Sequence, residues 1–282
     1  MRVQAGVQVC VIAIAASLLA ACGPDPEPAA TAPPPEAAAP PMLPDVIVAE
    51  RGGFIPEGVE YDMDNGRLLT GSLSEGSVFQ LHDDGRVTPL VSDPDLVSSV
   101  GIEADELRDR LLVANSDRSV FEGGTRGQAM LGVYNLTTGE RIAMVDLAAA
   151  VEDAGDDAAF FANDVAVADD GTAYVTDTRM NVIYRVDTDY QASVFHRFDD
   201  GGAGPNGIVE HPAGYLLVAR GDALWKVPLD DPASATGVML PEDIPGQDGM
   251  VWSAGRLAIV SNSGNRVVAL TSGDEWMTAD LA

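Results

Sequence analysis

The chain has 282 residues, a formal net charge of −28 at pH 7, 46% hydrophobic residues and two cysteines. A chain this acidic lacks the basic footprint that nucleic-acid binding requires, which excludes that class of function. A solvated acidic surface explains the charge, and a surface that concentrates cations is the alternative.

The first residues have the features of an export signal. Arg2 supplies a short positive region, residues 3–19 are apolar but short for a membrane-spanning helix, and a Leu-Ala-Ala-Cys motif ends at Cys22. The motif is typical of bacterial lipoproteins, which predicts a signal peptide over 1–21 and a lipidated Cys22 as membrane anchor. Ordinary secretion with cleavage near Ala21 is the alternative. Gly23 favours the outer membrane, with the protein facing the periplasm or the exterior of the cell envelope, because an aspartate there is associated with inner-membrane retention.

Residues 22–44 form a Pro- and Ala-rich tether, which is predicted to be extended, and the folded domain spans 45–282. Cys10 and Cys22 both precede this domain, which excludes disulfides, thiolate catalysis and Cys-ligated zinc within it. The three histidines are scattered and show no metal-ligand spacing.

Five segments of the domain repeat the same pattern of strands. Each begins with a three-residue signature and continues as an alternating strand, a tight turn and further strands, at intervals of about 40 to 60 residues. The signatures are Glu57-Gly58-Val59, Val100-Gly101-Ile102, Asn163-Asp164-Val165, Asn206-Gly207-Ile208 and Asp248-Gly249-Met250. Four-stranded antiparallel units without intervening helices predict an all-β fold, a β-propeller.

Two stretches depart from the strict repeat. The second segment contains a longer excursion, 117–128, rich in glycine and charge, between its second and third strands. Residues 147–151 are predicted to form a single helical turn. Trp225, Trp252 and Trp276 are placed on strands, as packing residues.

The first signature residue changes from blade to blade. In a propeller the first strand of each blade lines the central channel, so the residues that open these strands converge on one axis. They include Glu57, Asn163, Asn206 and Asp248, whose carboxylate and amide oxygens are the ligands that a hard cation takes.

The turns after the second strands should lie on the same face as a polar rim. They carry Ser72, Asn115, Asp177, Arg220 and Asn262. Asp177, within Thr-Asp-Thr, is more typical of a residue that hydrogen-bonds its own turn. Arg220 stands where the matching turns have smaller residues. Its position is equally compatible with contact to a substrate carboxylate and with packing.

Four stretches carry a family resemblance: PEGVEYD (56–62), FANDVAVADDGTAYVTDT (161–178), PNGIVEHPAGYLLVA (205–219) and QDGM (247–250). The chain resembles the SMP-30/gluconolactonase/LRE-like family of calcium-dependent, six-bladed propeller hydrolases. The resemblance implies a Ca²⁺ or another divalent cation held by Glu57, Asn163, Asn206 and Asp248. It also implies that Asp248 activates water and that Asn163 contacts substrate or water as an alternative to the ion.

The family closes six blades, whereas this sequence supplies five full blades. Residues 45–50 can add one strand, so we expect an incomplete sixth blade; closure with five blades is the alternative. Both outcomes leave the four predicted ligands in place.

The expected function is a calcium-dependent hydrolase that acts on a small-molecule lactone or ester through metal-activated water in the channel. Substrate contacts are assigned to the rim residues Arg220, Asn115, Asp177 and Asn262. The sequence has no GxSxG motif, which argues against a serine hydrolase, and its sole lysine, Lys226, is not at a blade opening, which argues against Schiff-base chemistry. The alternative is a non-catalytic, NHL-like binding propeller at the cell envelope. The sequence does not indicate an oligomeric state.

Overall fold

The computed structural model describes residues 43–123, 125–199 and 201–282. The predicted signal peptide 1–21, the lipidated Cys22 and the tether up to residue 42 lie outside these residues. The described chain forms five four-stranded antiparallel blades in sequence order, which confirms the predicted propeller. In this part of the chain no helix has the length and apolar character needed to cross a bilayer.

The blades are formed by consecutive strands. Blades 1 and 2 consist of β1 (Val59–Asp62), β2 (Arg67–Thr70), β3 (Ser77–Leu81), β4 (Val87–Ser92), β5 (Ser98–Asp105), β6 (Arg110–Ser116), β7 (Gly127–Asn135) and β8 (Arg141–Asp146). Blades 3 to 5 consist of β9 (Phe160–Val167), β10 (Ala173–Asp177), β11 (Val182–Val186), β12 (Ala192–Arg197), β13 (Ile208–His211), β14 (Tyr215–Arg220), β15 (Ala223–Pro228), β16 (Thr236–Gly237), β17 (Gln247–Ser253), β18 (Arg256–Ser261), β19 (Arg266–Thr271) and β20 (Asp280–Leu281).

The helical content of the described residues is limited to short 3-10 turns. They are Glu106–Arg108, Arg118–Phe121, Ala148–Ala150 and Pro232–Ser234. The third lies inside the predicted helical turn at 147–151, and the second lies inside the excursion of blade 2.

Two predicted strands differ from the structure. The strand expected over 276–281 shortens to β20, because Trp276 has a positive φ of 63° and its amide donates to Ser272 Oγ in a turn. Residues 45–50 form no strand of a sixth blade. Instead, the Glu50 amide donates to the Gly85 carbonyl at 2.8 Å, so the segment lies against the β3–β4 turn of blade 1.

Neighbouring blades pack through shared apolar clusters, because each strand places alternate side chains on opposite faces of its sheet. Four clusters of buried residues join blades 1 and 2, 2 and 3, 3 and 4, and 4 and 5. Among the described residues no such cluster joins blade 5 to blade 1. Val59 on blade 1 and Val251, Val260 and Val267 on blade 5 are exposed instead, as expected where a sixth blade is incomplete.

The strand openings meet at the centre through close backbone contact. A Cβ atom at Gly58 would lie 3.0 Å from Gly101 Cα, and one at Gly207 would lie 3.2 Å from Gly249 Cα. At Gly101, the added atom would lie 2.6 Å from Asp164 Cα. At Gly58, Gly101 and Gly207 the second signature position is therefore glycine because the backbones of adjacent blades approach too closely for a side chain.

We expect Gly101→Ala to destabilise the fold. Its new methyl would meet backbone atoms of Asn163 and Asp164, and overpacking of this kind costs about 1–3 kcal/mol, or about 2–4 °C in melting temperature for each kcal/mol. Thermal denaturation measures the loss. Gly249→Ala is the matched control, since nothing lies within 4 Å of its added Cβ; equal losses in the two variants would contradict the central contact.

Candidate functional site

A β-bulge positions the signature residues in three blades. Between Val175 and Asp177 the register of β9 and β10 shifts, so that Asn163 and Asp164 stand opposite one residue of β10. The same shift occurs at Val100–Gly101 in blade 2 and at Asp248–Gly249 in blade 5. A bulge re-aims side chains that would otherwise alternate between the two faces of the strand. In blades 2, 3 and 5 the signature is therefore the sequence of this bulge.

Carboxyl groups from three blades influence one another at the channel. Burial raises the pKa of Glu57 to about 8, with further contributions from Asp164 and then Asp248. Burial also raises the pKa of Asp164 to about 7, and Asp248 adds to that shift. Blades 1, 3 and 5 thus place these carboxyl groups within electrostatic reach of one another, and the shared ligand role of Glu57 and Asp248 stays a prediction.

The two amide residues of the predicted ligand set are held differently. Asn163 is buried, and its Nδ2 donates to Thr178 Oγ1 at 2.8 Å, while that hydroxyl donates to the Pro205 carbonyl at 2.7 Å. Asn206 is held by its main chain: its amide donates to the Ala219 carbonyl and its carbonyl accepts from Thr176 Oγ1. Both side-chain amide oxygens are without a hydrogen bond to the described residues, which leaves them available as ligands.

Asp164 is a site residue that the sequence reading missed. Its Oδ1 accepts from its neighbour Val165 at 2.9 Å, and its Oδ2 accepts from the Ile208 amide at 3.1 Å, so the carboxyl group joins blades 3 and 4. The signal was present in the signature, because Asp164 occupies the position where the other four blades have glycine.

A second acidic layer lies at Glu60 and Glu103, each three residues after a signature opening. Burial raises the pKa of Glu60 to about 7 and that of Glu103 well above its usual range, and the Glu60 charge is the next cause for Glu103. The main causes of the shifts at Glu57, Glu60, Glu103 and Asp164 include no cationic side chain. The channel therefore holds half-buried carboxyl groups whose pKa values are raised mainly by desolvation and by one another.

Whether a cation fits depends on the oxygen ligands that the site can supply. Among the described residues, no three His, Cys, Asp or Glu side chains are grouped closely enough to hold a metal by themselves. An ion would therefore need the amide oxygens of Asn163 and Asn206 beside the carboxylates of Glu57 and Asp248. Ca²⁺ takes six to eight oxygen ligands of mixed kind, including water, so this set fits a hard divalent cation.

Asn262 is the predicted rim residue that contacts a proposed ligand. It is exposed, and its Nδ2 donates to Asp248 Oδ2 at 3.0 Å. Arg220 is 5% exposed, and its guanidinium lies 4.5 Å from the Phe198 ring and 5.5 Å from the Trp225 ring. The arginine therefore packs between aromatic rings, a placement that depends on tertiary structure and that the sequence left open.

Asn115 and Asp177 are buried, and both are engaged in hydrogen bonds. Asn115 Oδ1 accepts from the Val97 amide and from Gln128 Nε2, and its Nδ2 donates to the Asp95 carbonyl. Asp177 accepts from several groups of its own blade. They are the amides of Phe161, Arg179 and Met180 and the hydroxyl of Tyr184. Asp177 thus makes the turn contacts expected of it, and substrate contact by either residue stays a prediction.

Comparison with known proteins identifies a family and related folds. A family model described as the SMP-30/gluconolactonase/LRE-like region matches residues 55–278. No curated protein matches the sequence significantly.

Similar solved structures include the major allergen Mala s 1 of Malassezia sympodialis, with a TM-score of 0.70 and 19% identity, covering 86% of this chain and 82% of that chain. Virginiamycin B lyase of Staphylococcus aureus has a TM-score of 0.59 and 14% identity, over 80% and 69% of the two chains. A candidate gluconolactonase has a TM-score of 0.57 and 18% identity, over 85% and 83%. At these identities the structural likenesses show the fold.

In the presence of chelator, the melting temperature should fall as the pH rises from about 5 to about 8.5. The folded-state pKa values of Glu57 and Asp164 lie above those of the unfolded chain, so the folded state holds protons that the unfolded state releases over this range. Thermal scans across pH measure the slope. Glu57→Gln should flatten it while Glu140→Gln, at an exposed turn, should not; a wild-type melting temperature that is constant or rises with pH would contradict the buried-carboxyl arrangement.

Proposed function

Because the chain belongs to the SMP-30/gluconolactonase/LRE-like family, we propose that its channel hydrolyses a small-molecule lactone or ester with the help of a bound Ca²⁺. The observation that supports the proposal is that Glu57, Asp164 and Asp248, from three blades, influence one another electrostatically, while no cationic side chain is among the main causes of the raised pKa values of Glu57 and Asp164. A divalent cation would supply the missing charge. The residues that would hold it are Glu57, Asn163, Asn206 and Asp248.

A bound Ca²⁺ would polarise the scissile carbonyl and stabilise the negative charge that develops on its oxygen. The chain's own part is proton transfer and orientation. Asn262 holds Oδ2 of Asp248, which leaves Oδ1 to accept a proton from the attacking water. The water oxygen bonds to the acyl carbon, the acyl C–O bond breaks, and the proton passes from Asp248 to the departing oxygen. A lactone then yields one hydroxy acid, and an ester yields an acid and an alcohol.

Asp164 has a different part in this scheme. Its two oxygens accept hydrogen bonds from the Val165 and Ile208 amides, so the carboxyl group is fixed where blades 3 and 4 meet. In that position it adds negative charge beside Glu57 and strengthens the attraction for a cation, while Asp248 retains an oxygen for water. Asp164 therefore serves as a positioning and charge-supplying residue.

We also propose that a lipid on Cys22 holds this domain at the cell envelope through the tether of residues 22–44. A tethered hydrolase would meet its substrate in the periplasm or outside the cell. The amino-acid pattern at 19–22 supports this proposal.

A non-catalytic binding propeller is the second candidate. It is favoured by the lack of three clustered acidic or imidazole ligands in the described residues and by the engagement of Asn115 and Asp177 in structural hydrogen bonds. In that case an ion would only stabilise the folded state.

Removal of the proposed base should abolish most of the activity. Asp248→Ala is expected to lower kcat by about 100-fold or more for hydrolysis of simple lactones and aryl esters in calcium, the range attributed to a general base. Initial rates measured by pH-stat or product absorbance test this. Asp280→Ala, which removes an exposed carboxylate from the outer strand of the same blade, is the control. Full activity of the Asp248 variant would contradict the mechanism, and so would wild-type turnover that is unaffected by chelator.

Calcium should raise the melting temperature, and the gain should follow RT ln(1 + [Ca²⁺]/Kd), about 2.7 kcal/mol at 100 times the Kd. Glu57→Gln removes a proposed ligand and should abolish most of the gain, whereas Glu140→Gln should retain it. Differential scanning calorimetry at several calcium concentrations measures the effect. A stabilisation that is equal in the two variants would place the ion elsewhere.

A further inference from the structure

The excursion of blade 2 is anchored beside the opening of blade 3. Gly127 pairs in parallel with Phe160, and the Phe160 amide donates to the Arg126 carbonyl at 2.9 Å. Val120, within the excursion, is buried. Asp117 Oδ1 accepts from the Ser119 amide and so caps the short 3-10 helix Arg118–Phe121. The described residues of the excursion, 117–123 and 125–128, are therefore packed against the fold, next to the strand that carries Asn163.

Two arginines on this part of the surface stack on aromatic rings. The Arg126 guanidinium lies 4.8 Å from the ring centre of Phe160, and that of Arg179 lies 5.7 Å from the ring centre of Phe121. Phe121 in turn packs edge-on against Phe161 at 4.8 Å and is 56% exposed. We call the exposed residues Phe121, Arg126 and Arg179 the arginine rim.

Hydrogen bonds connect the arginine rim to a proposed ligand. Asp177 Oδ1 accepts from the amides of both Phe161 and Arg179, each at 2.9 Å, so one carboxylate fixes the two segments. Phe161 lies two residues before Asn163 on β9, and Thr178, which precedes Arg179, accepts from Asn163 Nδ2. Arg179 and the segment that supports Phe121 are thus linked through Asp177 and Thr178 to Asn163 of the candidate site.

Arg126 and Arg179 share with Arg185 and Arg256 the lack of an ion pair with a carboxylate of the described residues. Most arginines in the described residues form an ion pair with a carboxylate, including Arg118, which pairs with Glu122 beside the rim. In the same part of the chain, neither Arg126 nor Arg179 has such a partner, although the net charge is −28. The exposed Arg179 guanidinium over the exposed Phe121 ring matches an anion attached to an apolar group, because arginine binds carboxylates through paired N–H groups, and Arg126 adds a second positive charge on the neighbouring Phe160.

We propose that the arginine rim selects substrates that carry a carboxylate next to an apolar or aromatic group, away from the bond that is cut. The inference rests on the proposed hydrolase function, which it deepens by naming the substrate class. The rim residues bind the remote carboxylate and ring, and the acyl group extends toward Asn163 and the channel. Asp177 contributes as a positioning residue, because it holds the rim in place.

A matched pair of esters, phenyl acetate and 4-acetoxybenzoate, tests the proposal, since the two differ only in the carboxylate. Steady-state kinetics of the wild type should give a lower KM for 4-acetoxybenzoate despite the acidic surface. The variant R126Q/R179Q should raise KM for 4-acetoxybenzoate relative to that for phenyl acetate by about five- to tenfold, with salt reducing the wild-type preference. R256Q, at the exposed first residue of β18 in blade 5, removes one positive charge elsewhere and should leave the ratio unchanged.

Equal KM values for the two esters in the wild type would overturn the proposal, and so would an equal effect of R256Q. If neither ester is cut, calorimetric titration with benzoate and with phenol tests the arginine rim separately from the hydrolase function. Binding of benzoate that weakens in R126Q/R179Q would support the rim while the hydrolase assignment fails. No preference for benzoate over phenol would reject the rim, whether or not the protein is a hydrolase.

Discussion

Close backbone contact between the strand openings is the constraint on which the rest of the structure depends. The bulges at Val100–Gly101, Asn163–Asp164 and Asp248–Gly249 place two residues opposite one, and the glycines allow neighbouring openings to touch. Asp164 is the exception among these positions, and its carboxyl group accepts the Ile208 amide of the next blade. The same bulge therefore builds the centre of the propeller and delivers polar side chains to it.

This arrangement has an unfavourable electrostatic energy. Burial disfavours ionised carboxyl groups, and the channel collects Glu57, Glu60, Glu103 and Asp164, all of which have raised pKa values. A cation at the channel would relieve the repulsion and would also join blades that are far apart in sequence. This matters because apolar clusters connect blades 1 to 5 in series, while blade 5 has no such connection to blade 1 among the described residues.

Much of the fold could be predicted from the sequence, because strand alternation and Asp-Gly or Asn-Gly turns are local signals. The five repeated units of the sequence correspond to the five blades of the structure. The shortened β20 and the absence of a strand at 45–50 were not predictable, since both depend on what the neighbouring surface offers for pairing. The local sequence pattern did not predict the turn at Trp276.

The candidate site was predictable in part. The opening residues Glu57 and Asp248 are candidates from sequence because their chemistry varies within a repeated frame. Asp164 is less conspicuous, because it is a single departure from glycine at the second signature position. Arg220 illustrates the limit of sequence: its charge suggested a substrate contact, but its burial between Phe198 and Trp225 follows from the packing of blades 3 and 4. The arginine rim likewise arises from contacts between segments of different blades.

The central claim is that side chains from different blades share one cation. A crystal structure of the protein grown with calcium tests it most directly. The account predicts one ion in the channel, with oxygen atoms of Glu57, Asn206 and Asp248 at about 2.3–2.6 Å, the range of calcium–oxygen distances. An empty channel at saturating calcium, or an ion bound only by surface carboxylates, would contradict it.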